Sequence, residues 1–482
     1  MAKPEWDVVT LGTGAAGLVA GHIAGGLGLR TACIEADRVG GECSWTGCVP
    51  SKALLHVADR VHRIRRGIPG VELETDGLDA SGALEHVRRI TRDMGGELTA
   101  DALAAKGMEL VEARGTLLPE SQPVADAAGR GLAARCVLIA TGSRPKIPPV
   151  PGLADLPYRT NQTLFDLDQP PGSMVILGAG PIGIEMAQAF NRLGTRVTVV
   201  DRGSEILAQD DPEHARWLRE ILQAEGVEFL LGSNIVRARL LDGWPALVHE
   251  DETGERVVAG EQLLVAAGRE PNTAGLGLDE AGIEHSPRGV EVDDLLRTTR
   301  RGIYAVGDVN GRWPFSHMAE YESTIATSHA LFGLRRKASY RDGGWCTFTD
   351  PEVASCGINA AEAEHRGLAY GVHRWGFDSD DRARVDGQAV GEVKVVADPR
   401  TGRLLGAQII GPRAGEAIQE YILALGRRIP VHALAQTVHV YPTVSVTAQR
   451  ASQMWMRDRL QVGWTSRLAR QYLALRGFGR GG

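Results

Sequence analysis

Two stretches decide the fold: DVVTLGTGAAG at residues 7–17 and MVILGAGPIG at residues 174–183. Each is an apolar, β-branched run that enters a G-x-G-x-x-G turn. Its glycines are Gly12, Gly14 and Gly17 in the first copy and Gly178, Gly180 and Gly183 in the second. A further apolar run follows each, LRTACIE and TRVTVVD, ending on an acid at the same offset from the first glycine, Glu35 or Asp201. In a strand–turn–helix unit the first glycine permits the tight turn, the second lets backbone approach a pyrophosphate, and the third lets the helix pack on the strand. The helix start offers N–H groups and a positive dipole end to phosphates, and the acid can accept from a ribose hydroxyl. One glycine-rich turn is weak evidence. Two copies with matching strand, helix and acid predict two Rossmann-like dinucleotide-binding modules in an α/β fold.

The rest of the composition fits this. The chain has 482 residues, 43% hydrophobic and 23% charged, enough for about three domains. A net charge of -7 supplies no basic field to recruit nucleic acid. Six cysteines are too sparse for a secreted disulfide scaffold. The sequence shows no signal-peptide pattern and no apolar run long enough to span a bilayer, so a cytoplasmic location is expected.

Between the modules, VLIATGSRPKIPPVPG is an apolar strand ending at Thr141-Gly142 and then a stiff, Pro-rich boundary. QLLVAAGREPN at 262–272 closes the second module, and GIYAVGDVNG is another strand entering a Gly-rich turn, with Asp308. Beyond about residue 340 the pattern changes. EVKVVADPRTGRLLGAQIIG predicts an antiparallel hairpin and GEAIQEYILALGRR an amphipathic helix, so this end is an α+β unit.

GGECSWTGCVP at 40–50 holds Cys43 and Cys48 in a Gly-rich loop. A structural zinc site would need two more Cys or His ligands at suitable spacing. His56 is the nearest histidine, and Cys33, Cys136, Cys346 and Cys356 sit apart in apolar or turn contexts. No metal site is expected. A polar, Gly-rich loop is a poor place for inert core thiols, which leaves a redox dithiol between two dinucleotide sites. Pro50 in a first helical turn puts Cys48 near a helix N-terminus, where the dipole favours a thiolate. Lys52, four residues on, shares that face and can stabilise a thiolate or a reduced flavin; a solvated surface lysine is the plain alternative.

Taken together, GGECSWTGCVPSKALL, the two modules, ATGSRP, AAGREPN and YAVGDV resemble the class I pyridine nucleotide-disulfide oxidoreductases, in particular their dihydrolipoamide dehydrogenase and mercuric reductase-like branch. The resemblance implies a homodimeric enzyme of three parts: an FAD-binding domain at 1–150 and 271–338, an NAD(P)-binding domain at 151–270, and a C-terminal α+β dimerisation domain at 339–482. It implies FAD on Gly12, Gly14, Gly17, Glu35, Lys52, Thr141, Gly142, Arg269 and Asp308, and a nicotinamide nucleotide on Gly178, Gly180, Gly183 and Asp201. An acid at Asp201 favours NADH over NADPH by repelling a 2′-phosphate, with Arg202 partly offsetting it. The catalytic set it implies is Cys43 as the interchange thiol, Cys48 as the flavin-facing thiol, Lys52 paired with Glu185, and Tyr441. Electrons would pass from NAD(P)H through FAD and the Cys43–Cys48 disulfide to an acceptor: a disulfide, a metal ion or a quinone. Two other readings are a flavin reductase of quinones with auxiliary cysteines and a non-catalytic FAD/NAD-binding redox sensor.

Dithiol-handling relatives carry H-x-H-P-T-x-x-E near the C-terminus, supplied across the dimer. This chain has HVYPTVSV at 439–446, placing Tyr441 at the acid/base position, Val446 at the glutamate position and His439 at the first histidine. No cysteine follows Cys356, so the family's mercury-binding C-terminal pair is absent. These departures argue against efficient turnover of lipoamide, glutathione disulfide or mercuric ion. From residue 456 onward there are six Arg against one Asp, and Trp464, Leu468, Tyr472 and Leu475 form an apolar stripe. The expectation is a helix packed in its own dimer, with a peripheral membrane-surface helix as the alternative.

Overall fold

The computed structural model describes residues 4–67, 70–72, 78–119, 123–251, 254–461, 464–476 and 478. Two compact units emerge. One holds residues 1–204 and 225–339, the other residues 205–224 and 340–482.

The first unit contains both nucleotide modules. The strand Trp6–Leu11 lies between Thr31–Glu35 and Arg130–Ile139, with Met108–Glu112 beyond the former and Ile303–Ala305 beyond the latter, all parallel. Gly115–Leu117 and Val124–Ala127 extend this sheet as an antiparallel meander on the front half of Arg130–Ile139. A parallel sheet covered on both faces needs continuous apolar runs, and Val8, Val9 and Leu11 are buried accordingly. The second module repeats the plan with five parallel strands, in the order Glu228–Leu230, Arg196–Val200, Ser173–Leu177, Gln262–Val265 and Tyr158–Arg159. A three-stranded antiparallel sheet, Asn234–Leu241, Trp244–Asp251 and Gly254–Ala259, is inserted before its last long strand. Thus the doubly wound reading holds for both glycine motifs.

The second unit is α+β, as its sequence pattern predicts. Its antiparallel sheet runs Gly344–Thr347, Glu352–Gly357, Leu404–Gly411, Glu392–Ala397 and Gly371–Gly376. The expected hairpin is the pair Glu392–Ala397 and Leu404–Gly411. Helices Gln419–Arg427, Val431–Gln436 and Ser445–Gln461 join it, and Tyr421, Phe377 and Trp455 fill the shared core. Helix Pro212–Ala224 belongs to this unit and is tied to the sheet by ions. The buried Lys394 ammonium lies 2.6 Å from Asp211 and 3.2 Å from Glu213. A charge taken out of water this far is tolerated only when paired.

The glycine turns are steric necessities. A Cβ on Gly17 would sit 2.0 Å from the Gly12 carbonyl oxygen, and one on Gly183 would sit 2.0 Å from that of Gly178. Gly17→Ala and Gly183→Ala are each expected to lower the apparent Tm by about 3–8 °C. Gly26→Ala, whose Cβ would meet nothing within 4 Å, is expected to leave it unchanged in the same melting experiment.

Candidate functional site

Both glycine motifs form cradles with an open centre. Gly12 has φ +97° and Gly178 φ +117°, a backbone state that favours glycine. The middle glycines, Gly14 and Gly180, have nothing within 4 Å of a notional Cβ. They also serve as N-caps of the helices Ala15–Gly26 and Pro181–Arg192, and neither cap carries a side-chain hydrogen bond. Uncapped helix starts facing open space suit a pyrophosphate. The acids fold back onto their own loops. Glu35 Oε2 accepts from the Thr13 amide at 2.8 Å and hydroxyl at 2.6 Å. Asp201 accepts from the Ala179 amide at 2.7 Å and the Gly203 amide at 2.6 Å. Glu35 Oε1 also accepts from the Ala36 and Asp37 amides at 2.9 Å each, which fills the roughly four acceptor sites of an ionised carboxylate, whereas the two bonds to Asp201 leave lone pairs for a ribose hydroxyl.

The dithiol sits where a helix begins. Cys43 lies in the short helix Gly41–Trp45, and Cys48 is the first residue of helix Cys48–Arg65, whose N-cap Gly47 offers no side-chain acceptor. Both are free thiols, Cys43 half-buried and Cys48 exposed. The Cys48 pKa is lowered to about 6, chiefly by a hydrogen bond from Cys43. Desolvation by the surrounding chain opposes this, while the Ser316 hydroxyl, 3.6 Å from the sulfur, and the Lys52 ammonium assist it. Cys43 is pushed the other way, first by its hydrogen bond to Cys48, then by burial and the Cys48 charge. One thiol therefore holds the proton and the other the charge.

Lys52 Nζ donates to Glu185 at 2.8 and 3.1 Å, joining the dithiol helix to the helix of the second module. Arg269 is held by protein carboxylates. It forks onto Glu42 at 2.7 and 2.6 Å, donates to the Ser143 hydroxyl at 2.9 Å and lies 3.7 Å from Asp308. Ser143 in turn donates to Asp308 at 2.5 Å. Burial raises the Asp308 pKa, against the pull of Ser143 and Arg269. Thr141 and Asn272 exchange hydrogen bonds at 2.8 and 2.9 Å. Sequence reading missed Glu42, Ser143, Asn161, Asn272 and Ser316. Glu42 stood inside the quoted cysteine motif, and Asn272 ends AAGREPN.

Tyr441 is a residue of the second unit, 68% exposed. Its hydroxyl donates to Asp381 at 2.8 Å, which raises its pKa above the usual phenol value. His439 Nδ1 meets the Thr437 carbonyl at 3.0 Å and Nε2 meets Glu420 at 2.9 Å. Both ring nitrogens are therefore engaged within the unit. Val446 lies in the first turn of helix Ser445–Gln461.

Residues 6–323 match the pyridine nucleotide-disulphide oxidoreductase family and residues 344–451 its dimerisation domain. The chain belongs to this family, whose enzymes bind FAD and a nicotinamide nucleotide, and it is accordingly an FAD-dependent, NAD(P)H-using oxidoreductase. The dimerisation domain supports a homodimer. The chain is 32% identical to a mercuric reductase of Streptomyces lividans over 95% of this chain and 98% of the relative. It is 31% identical to a dihydrolipoyl dehydrogenase of Thermus scotoductus over 95% and 99%. Among solved structures it resembles LpdA from Mycobacterium tuberculosis, with TM-score 0.85, 28% identity and coverage of 93% and 99%. No described helix is long and apolar enough to cross a membrane.

A thiol whose pKa is depressed on folding contributes stability above its unfolded value, 9.0 here, and loses that contribution as pH falls through about 6. In the reduced holoenzyme, iodoacetamide labelling of Cys48 is expected to rise with a midpoint near pH 6. Lys52→Met removes the cation that favours the Cys48 thiolate, so it is expected to raise that midpoint by about 1 unit.

Proposed function

We propose that this chain is an NAD(P)H oxidoreductase that works through the Cys43–Cys48 couple. Its acceptor, on this reading, needs no protein acid/base from the 439–446 loop. A quinone or a metal ion fits better than lipoamide or glutathione disulfide. The observation that carries this reading is the commitment of both candidate proton carriers: Tyr441 to Asp381, and His439 to Thr437 and Glu420. Turnover of a dithiol or disulfide needs a group that trades a proton near neutral pH. A phenol whose pKa lies above about 10 does not do so. A quinone or metal ion can draw its protons, if any, from solvent.

FAD, when bound, supplies a two-electron relay between the nicotinamide and the disulfide. The chain's own residues do the rest. The Gly14 and Gly180 turns would seat the two pyrophosphates and Glu35 and Asp201 the riboses, Asp201 favouring NADH. Thr141, Gly142, Arg269 and Asp308 would line the FAD side. Lys52, fixed by Glu185, would set the charge beside Cys48. Two electrons and one proton convert the disulfide into the Cys43 thiol and the Cys48 thiolate, the distribution the structure favours. Cys43 would then deliver two electrons outward and release its proton to solvent, and the disulfide would re-form. In the relatives' dimer, the 439–446 loop of the other subunit would close this acceptor side.

The C-terminal helix Trp464–Leu475 exposes Leu468, Tyr472 and Leu475 in the chain alone; the Trp464 side chain lies outside the described residues. We assign this stripe to contact within the homodimer. Deletion of 464–482 is expected to raise the dimer dissociation constant in analytical ultracentrifugation. Co-sedimentation of the full chain with anionic liposomes, lost on the same deletion, would instead make it a membrane-surface helix.

The test of the main reading is anaerobic reduction by NADH followed by an acceptor screen. A long-wavelength absorbance from the Cys48 thiolate against the flavin is expected, and it should vanish in Cys48→Ser while flavin reduction remains. Tyr441→Phe is expected to leave turnover with a soluble quinone within about twofold of wild type, a change too small to signal a transition-state role. Full turnover of Cys43→Ser with every acceptor would show the dithiol to be auxiliary. Efficient lipoamide turnover abolished by Tyr441→Phe would reinstate a proton-transferring loop.

A further inference from the structure

The residue immediately before Cys43 has no role in the mechanism above, yet it is the most heavily engaged side chain of the dithiol loop. Glu42 lies in the first turn of the short helix Gly41–Trp45, where a carboxylate is favoured by the helix dipole. Its two oxygens receive the Arg269 fork at 2.7 and 2.6 Å. Oε1 also accepts from the Asn161 amide, which donates a second bond to the Thr46 carbonyl at 3.2 Å. Asn161 thereby ties together both ends of the segment holding Cys43, and Arg269 ties that segment to Ser143 and Asp308. Glu42 and Arg269 are 227 positions apart in sequence.

We propose that Glu42 is a positioning residue for the Cys43–Cys48 couple, which anchors the dithiol loop on Arg269 and neutralises that guanidinium so that it does not act as a second full cation on the Cys48 thiolate. The geometry is a bidentate, charge-assisted pair, the arrangement in which arginine and carboxylate fix each other most firmly. The charged and titratable groups that bear on Cys48 are Cys43, Lys52 on its own helix, Glu185 on the helix of the second module, and Arg269. Arg269 is in turn faced by Glu42 and Asp308. Removing the Glu42 charge leaves Arg269 balanced by Asp308 alone, a carboxyl that burial makes harder to ionise. Net positive potential at Cys48 would then rise.

The inference rests on the dithiol reading, and one experiment separates the two. The reduced holoenzyme is labelled with iodoacetamide across pH 4–10, and Cys48 and Cys43 are resolved by peptide mass spectrometry. In Glu42→Gln the Cys48 midpoint is expected to fall by at least ~0.5 unit; Arg269→Gln is expected to raise it, and the double variant to lie between. Glu42→Asp, which keeps the charge, is expected to remain at the wild-type midpoint and serves if the glutamine variant does not fold. A wild-type midpoint near 9 would sink the dithiol reading itself. A wild-type midpoint near 6, unmoved in Glu42→Gln while the Tm falls, would make Glu42 a structural brace and overturn this proposal alone.

Discussion

No side chain fits between the carbonyl of the first glycine and the α-carbon of the third in either nucleotide module. That contact, repeated with the same 2.0 Å clearance for a notional Cβ at Gly17 and Gly183, fixes how each helix leaves its strand. Both nucleotide cradles are placed by it. The helix starts at Gly14 and Gly180 open toward free space because the turns before them are held that tightly. The acids Glu35 and Asp201 reach the same loops because their strands lie beside the first strand in parallel register.

A third helix start, at Cys48, does a different job with the same physics. Its dipole favours negative charge, here on a sulfur instead of a phosphate. Lys52, one turn on, is held by Glu185 from the second module. The ion pair therefore joins the dithiol helix to the helix that begins at the second module's own glycine turn. A change at either partner acts on both the charge beside Cys48 and the packing of the two modules.

What the sequence disclosed and what it hid divide along a physical line. Glycine turns, strand ends, the start of the dithiol helix and the 392–411 hairpin are set by local backbone requirements, so their spacing could be read directly. The Arg269–Glu42 fork joins residues 227 positions apart, and the Lys394–Asp211 pair joins residues 183 apart. No periodicity encodes such a partner; only tertiary packing selects it. Grouping of helix Pro212–Ala224 with the C-terminal sheet was invisible for the same reason. Tyr441 could be seen to replace a histidine, but its bond to Asp381 could not be seen, and that bond argues against a proton-transfer role.

The charges around Cys48 show what kind of couple this is. Lys52 and Arg269 are opposed by Glu185, Glu42 and Asp308, so no excess of cations surrounds the sulfur. The main cause of the low Cys48 pKa is instead the hydrogen bond from Cys43. That donor exists only in the reduced state, because the disulfide has no S–H. Stabilising the reduced form selectively makes a disulfide a better oxidant, which favours electron entry from the flavin side. The same arrangement holds the proton on Cys43 and makes it a poor nucleophile toward a disulfide substrate unless a base removes that proton. Relatives that handle dithiols place a histidine for this step. Here its position is a phenol donating to Asp381, and on the reading proposed above the couple would fill with electrons from the flavin side and release them to an acceptor that does not require Cys43 to attack as a thiolate.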